Sequence, residues 1–148
     1  MPSMHVDIDL KKDEPQGTIL KIIKRALQLS RMELKGNLQR NSPVDEGGLQ
    51  GGWFMASVPS PGGKVYSSKK YTSWLNDGTG IYGPKGQRIY PKTKKALAFV
   101  YNGKKVVVKN VKGIKPRRFV EKSIRQTEAR SDEFCIRATL ENQGDLAT

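Results

Sequence analysis

Ala96-Leu97-Ala98-Phe99-Val100-Tyr101-Asn102-Gly103-Lys104-Lys105-Val106-Val107-Val108-Lys109 is the stretch that decides the fold. Two runs of β-branched and aromatic residues flank Asn-Gly, the dipeptide that most readily takes the positive φ angles of a tight hairpin turn. The reading is a strand over 96–101 and its partner over 104–109. In the first strand Leu97, Phe99 and Tyr101 share a face, because side chains alternate along a strand. That face is expected to be core rather than a stacking platform. Upstream, 53–58 and 64–68 flank Pro61-Gly62-Gly63 and read as a second hairpin.

Helical periodicity brackets these strands. Ile19, Ile22, Ile23, Ala26, Leu27, Ser30, Leu34 and Leu38 recur at helical spacing over 18–40. Asn41-Ser42-Pro43 ends the helix, since the residue before proline avoids the helical region. A last helix is expected over 118–140, with Phe119, Ser123, Ile124, Thr127, Ser131, Phe134, Cys135 and Ala138 on its less polar side. Tyr71, Trp74 and Leu75 fit a short helical turn. Strands grouped by hairpins between long helices indicate an α+β domain. Its N-terminal and C-terminal helices pack on a small antiparallel sheet with long loops. At 148 residues the chain reads as a single domain, with flexible tails at about 1–16 and 141–148. Val6, Ile8 and Leu10 alternate with polar residues, so the first tail is either a short pairing strand or a frayed end.

The net charge of +13 is not spread evenly. Residues 82–122 hold thirteen Lys and Arg and a single acid, Glu121. A segment this one-sided suits a polyanion or an acidic partner, or is a solvated face. Its candidate contacts are Lys85, Arg88, Lys92, Lys94, Lys95, Lys112, Lys115, Arg117 and Arg118.

The chemistry of catalysis is poorly represented, and the chain reads as a non-enzyme without a cofactor. The only histidine, His5, sits in the polar N-terminal stretch, and Cys135 is the only cysteine. A nucleophile needs a positioned base, and a metal needs clustered ligands. Asp45-Glu46 lie in a glycine-rich loop and read as turn residues. Gly78-Thr79-Gly80-Ile81-Tyr82-Gly83 imitates the spacing of a dinucleotide-binding loop. Pro84 and Gly86 then deny it the helix that motif requires, so it reads as a turn. The apolar runs are too short to span a bilayer, and no basic-then-apolar leader is visible, which suggests a chain made in the cytoplasm.

The order of motifs carries more than any one of them. Asn41-Ser42-Pro43-Val44-Asp45 precedes Gly47, Leu49 and Trp53. Then come Tyr71-Thr72-Ser73-Trp74-Leu75-Asn76-Asp77-Gly78-Thr79-Gly80-Ile81-Tyr82-Gly83-Pro84-Lys85-Gly86, Ile89-Tyr90-Pro91-Lys92 and Ala96-Leu97-Ala98-Phe99. Val111-Lys112-Gly113-Ile114-Lys115-Pro116-Arg117-Arg118-Phe119 closes the series. This series, over about 19–130, resembles the tail-component family of long-tailed bacteriophages and prophages, whose members are called neck, head–tail joining or tail-completion proteins. Glu46 and Gly48 stand where that family usually has a basic residue in an Asp-Thr-Gly-x-Leu pattern. A mixed Arg/Glu sequence also replaces the acidic tail of the family's usual alanine-rich last helix.

The resemblance implies a structural virion protein, located in the tail or neck and in the host cytoplasm during assembly. It would act within a homo-oligomeric ring around the DNA passage, against head-connector or tail-tube and tail-terminator subunits, with non-specific DNA contact as an option. The loops that would make assembly contacts contain Pro43, Val44, Asp45, Leu49, Trp53, Gly78, Gly80, Tyr82 and Pro84. The alternative reading of the same basic segment is a small nucleic-acid-binding protein without sequence specificity.

Overall fold

The computed structural model describes residues 5–7 (backbone alone), 17–44, 47–56 and 62–143. The fold is α+β. Strand β1 (His5–Asp7) is followed by helix α1 (Thr18–Asn41), strands β2 (Trp53–Ala56) and β3 (Lys64–Ser67), and helix α2 (Thr72–Asp77). Then come strands β4 (Leu97–Tyr101) and β5 (Lys104–Val108) and helices α3 (Phe119–Glu128) and α4 (Ser131–Glu141). The chain divides into two compact units. One is Tyr71–Arg118, and the other combines the residues before and after it.

The strands make two sheets, not the single sheet expected. In the first, β3 is central, with β1 and β2 antiparallel on its two sides. In the second, β4 and β5 pair, among the described residues, only with each other. The cause is the chain between β3 and β4. It is taken up by α2 and by a backbone ribbon with its own pairing, so β4 finds its hydrogen bonds locally. The alternating option at the N-terminus is realised in β1. The rest of that pattern lies outside the described residues.

In the first unit α1 is the hub, packing on α3, α4, β2 and β3. Leu34, Leu38, Leu49, Trp53, Val65, Phe119, Val120, Phe134 and Ala138 are buried there. The buried side of α1 is Ala26, Leu29, Leu34, Asn37 and Leu38. Leu27 is only half-buried and Ile19 is exposed, which corrects the phase of the expected stripe. Polar partners set the difference. Asn37 is drawn into the α1–α3 seam, where its Nδ2 donates to Thr127 Oγ1 at 3.0 Å. One turn on, Asn41 Nδ2 donates to Ser123 Oγ at 3.0 Å and Gln126 Oε1 at 2.7 Å. The buried Asn37–Thr127 bond between fixed positions permits few alternative registers.

The expected single last helix is two. Arg130 N–H reaches only as far as Thr127 O, a tightened turn, and Arg130 itself is at φ −108° and ψ 9°. A second helix then begins with Asp132 and Glu133 in its first turn, where carboxylates favour the exposed N–H groups. Arg130 holds the break, pairing with Glu33 at 2.9 Å and Glu133 at 2.8 Å. Glu141, expected in the C-terminal tail, closes α4 and is held by Arg25 of α1 and by Arg137. The hydrogen bond from Arg25 is the main reason its carboxyl titrates below its ordinary value. Burial opposes the shift, and Arg137 adds to it.

Candidate functional site

The unit Tyr71–Arg118 concentrates the features the sequence singled out. It holds twelve Lys and Arg against one acid, Asp77. Its frame is a long ribbon of two antiparallel limbs. At the base Arg117 N–H donates to Leu75 O and Arg118 N–H to Asn76 O, both at 3.1 Å. Thr79 N–H then donates to Ile114 O at 2.9 Å, and Ile81 N–H to Lys112 O at 2.8 Å. Ile89 and Val111 exchange both main-chain bonds, at 2.9 and 3.0 Å. The β4–β5 hairpin ends the ribbon, from Leu97 opposite Val108 to Tyr101 opposite Lys104. At its tip Asn102 has φ 50° and Gly103 φ 73°, the positive pair expected of Asn-Gly.

Glycines allow the limbs to touch. Gly80, at φ +64°, lies so close to the other limb that a Cβ there would sit 2.1 Å from Lys112 O. Gly113, at φ +97°, faces Thr79 O with the same clearance. The Gly78-Thr79-Gly80 segment is therefore a backbone clasp. The N–H groups of Thr79 and Ile81 are spent on carbonyls of the opposite limb and are not free to cradle a phosphate. The structure thus agrees with reading this segment as something other than a dinucleotide loop.

Side chains of the ribbon point mostly to solvent. Lys85, Arg88, Lys92, Lys94, Lys95, Lys112, Lys115, Arg117 and Arg118 are all exposed and all belong to this one unit. Arg88 donates to Asn110 Oδ1 at 2.9 Å, Arg118 lies 3.5 Å from Asp77, and the Lys115 ammonium sits 5.8 Å from the Tyr82 ring centre. The hairpin overturns the expectation of a buried face. Phe99 is 40% exposed and Tyr101 65% exposed, on the side they share with Lys104. On the other side Val100 is 72% and Val107 61% exposed. Among the described residues no second layer covers these two strands, so alternation does not translate into burial. All six aromatic residues of this unit, from Tyr71 to Tyr101, are exposed.

The proposed assembly residues separate into three kinds. Leu49 and Trp53 are core side chains. Trp53 Nε1 donates to Ser42 Oγ at 2.9 Å, and that hydroxyl donates to Leu38 O, so these residues brace the loop rather than present a surface. Gly78 and Gly80 belong to the clasp. Val44, Tyr82 and Pro84 are exposed, Pro43 is half-buried, and Asp45 lies outside the described residues. Sequence reasoning assigned Phe99 and Tyr101 to the core, and did not name the exposed Val100, Lys104, Lys105 and Val107 as contacts. The available signal was the uninterrupted Val106-Val107-Val108. A two-stranded hairpin with apolar residues on both faces needs two covers, or is itself a contact surface.

Among the described residues no group of His, Cys, Asp and Glu is arranged to hold a metal ion, and no helix is long and apolar enough to cross a membrane. Comparisons with protein-family models, with curated proteins and with solved structures found no match.

Proposed function

We propose that this chain is a structural protein of a phage neck, joining or completing the tail at the head–tail interface as one copy in a ring around the DNA passage. The observation that carries this reading is the ribbon of 71–118. It spends its main chain on internal pairing and displays basic, aromatic and aliphatic side chains together, as a subunit designed for contact does. The ordered series of motifs from Asn41 to Phe119 supports it, since that series runs through the same clasp and hairpin. Its partners would be connector or tail-tube and tail-terminator subunits, with the exposed Val44, Tyr82 and Pro84 among the contacts.

The test is genetic and visual. The reading frame is deleted from the phage or prophage that encodes it, and particles are counted by electron microscopy. Unjoined heads and tails, restored to complete virions by the supplied wild-type chain, are expected. Complete, infectious particles without the protein would sink the proposal. The concentration of twelve bases in one unit favours a second reading, a nucleic-acid-binding protein without sequence specificity. Normal particles together with salt-sensitive DNA binding would select it.

A further inference from the structure

We infer that the β4–β5 hairpin binds single-stranded nucleic acid, with bases stacked on Phe99 and Tyr101 and phosphates held by Lys104 and other exposed lysines of the same unit. This does not depend on the neck reading, and the two can fail separately. Three observations lead to it. Phe99 and Tyr101 are two residues apart on β4, so both rings lie on one face, and both are exposed. Lys104 stands directly opposite Tyr101 on that face. The surrounding unit carries nearly all the chain's net charge, with one acid to offset it.

Charge complementarity and composition choose the occupant. The unit's bases are nine lysines and three arginines. Lysine is depleted at protein–protein interfaces, whereas a mobile ammonium serves well as a phosphate contact. Aromatic rings beside such charges form the platform that sequence-tolerant single-strand binders use. Spacing then separates single from double strands. Residues two apart on a strand are separated by about 7 Å along it. Bases in a duplex are stacked about 3.4 Å apart and closed to intercalating rings on a rigid sheet. Only an unstacked strand can seat a base on each ring. Main-chain groups take little part, because those at the clasp are already bonded across the ribbon.

The full-length chain is titrated against a fluorescein-labelled oligothymidine and against a duplex of equal length, across a range of salt. The wild type is expected to bind the single strand more tightly than the duplex, and to lose affinity for both as salt rises. Phe99→Ala with Tyr101→Ala should weaken single-strand binding about tenfold or more, to the duplex level, leaving the salt slope unchanged. Phe99→Trp with Tyr101→Trp should restore it, which separates loss of stacking from loss of the hairpin. Lys104→Ala should weaken binding of both ligands and reduce the single-strand slope by about 0.7. Equal wild-type affinity for the two ligands would overturn the inference, as would an alanine pair that binds like wild type or a tryptophan pair that binds like alanine. Absence of binding to either ligand would also overturn it. If the alanine pair then left heads and tails unjoined, the face would belong to a protein partner.

Discussion

Replacing Gly80 with alanine should open the ribbon at its clasp. The added Cβ would fall 2.1 Å from Lys112 O and 2.7 Å from its carbonyl carbon, and Gly80 is at φ +64°. The obstacle is backbone, so no side-chain rotation relieves it, and the limbs must part by about an ångström to reach ordinary contact. The Ile81 N–H···O Lys112 bond, 2.8 Å long, would then exceed hydrogen-bonding distance, and the 2.9 Å Thr79–Ile114 bond beside it would be strained. Each bond contributes about 0.5–1.5 kcal/mol net. The left-handed backbone adds about 1–2 kcal/mol for a residue with a Cβ. Together this makes about 2–5 kcal/mol of local destabilisation. Gly86→Ala is the matched control. Its φ is +59°, and a Cβ there meets nothing within 4 Å, so only the backbone cost applies. Amide hydrogen exchange read at Thr79, Ile81, Ile89 and Val111 is the assay. Gly80→Ala should speed exchange at Thr79 and Ile81 by about thirtyfold or more, at 1.4 kcal/mol per tenfold. If Gly80→Ala exchanged no faster than Gly86→Ala, the close approach would not be holding the limbs together.

Leu38, fully buried on α1, should lose about 2–5 kcal/mol on truncation to alanine, and half-buried Leu27 clearly less; equal losses in denaturant melts would show the helix in another phase. Ser42→Ala should cost about 1–3 kcal/mol, because it strands the buried Trp53 N–H; an unchanged melt would mean the indole finds another acceptor. Glu141 has a folded pKa below its ordinary value because Arg25 and Arg137 donate to it. Its contribution is therefore present above the unfolded carboxylate pKa and lost as pH falls through the lower folded one. The stability gap between wild type and Glu141→Gln should close over that acidic window, and a gap that widened on acidification would reverse the assignment.

Much of the frame was legible because its signals are local. The α1 periodicity, the Ser42-Pro43 stop and the Asn102-Gly103 turn each act within a few residues, and each element forms where those residues place it. The misreadings needed distant partners. Leu29 and Asn37 are buried on a helix that packs on α3, α4 and the first sheet, and Asn37 depends on Thr127, far along the chain. The break at Arg130 was hidden by good helix formers on both sides. Ser131-Asp132-Glu133, a respectable helix start, was its only trace. In the site, the clustering of bases was visible because they are neighbours in sequence. The exposure of Phe99 and Tyr101 was not, since alternation shows which residues share a face and says nothing of whether a layer covers it.

The glycine clasp and the exposed hairpin have one physical origin. An ordinary two-stranded ribbon is marginal, because a few hydrogen bonds do not offset the entropy of ordering it. Burying side chains is the usual remedy, but it removes those side chains from any surface. Here the limbs approach through glycine backbone at Gly78, Gly80 and Gly113, and pairing continues at Ile89 and Val111 before the hairpin begins. Order comes from main chain packed on main chain, so lysines and rings need not be spent on a core. A surface built this way should tolerate substitution of its exposed side chains without loss of the ribbon, while single glycines in the clasp should not be exchangeable. Exposed-residue variants are therefore clean probes of contact, and clasp variants are probes of the frame that presents it.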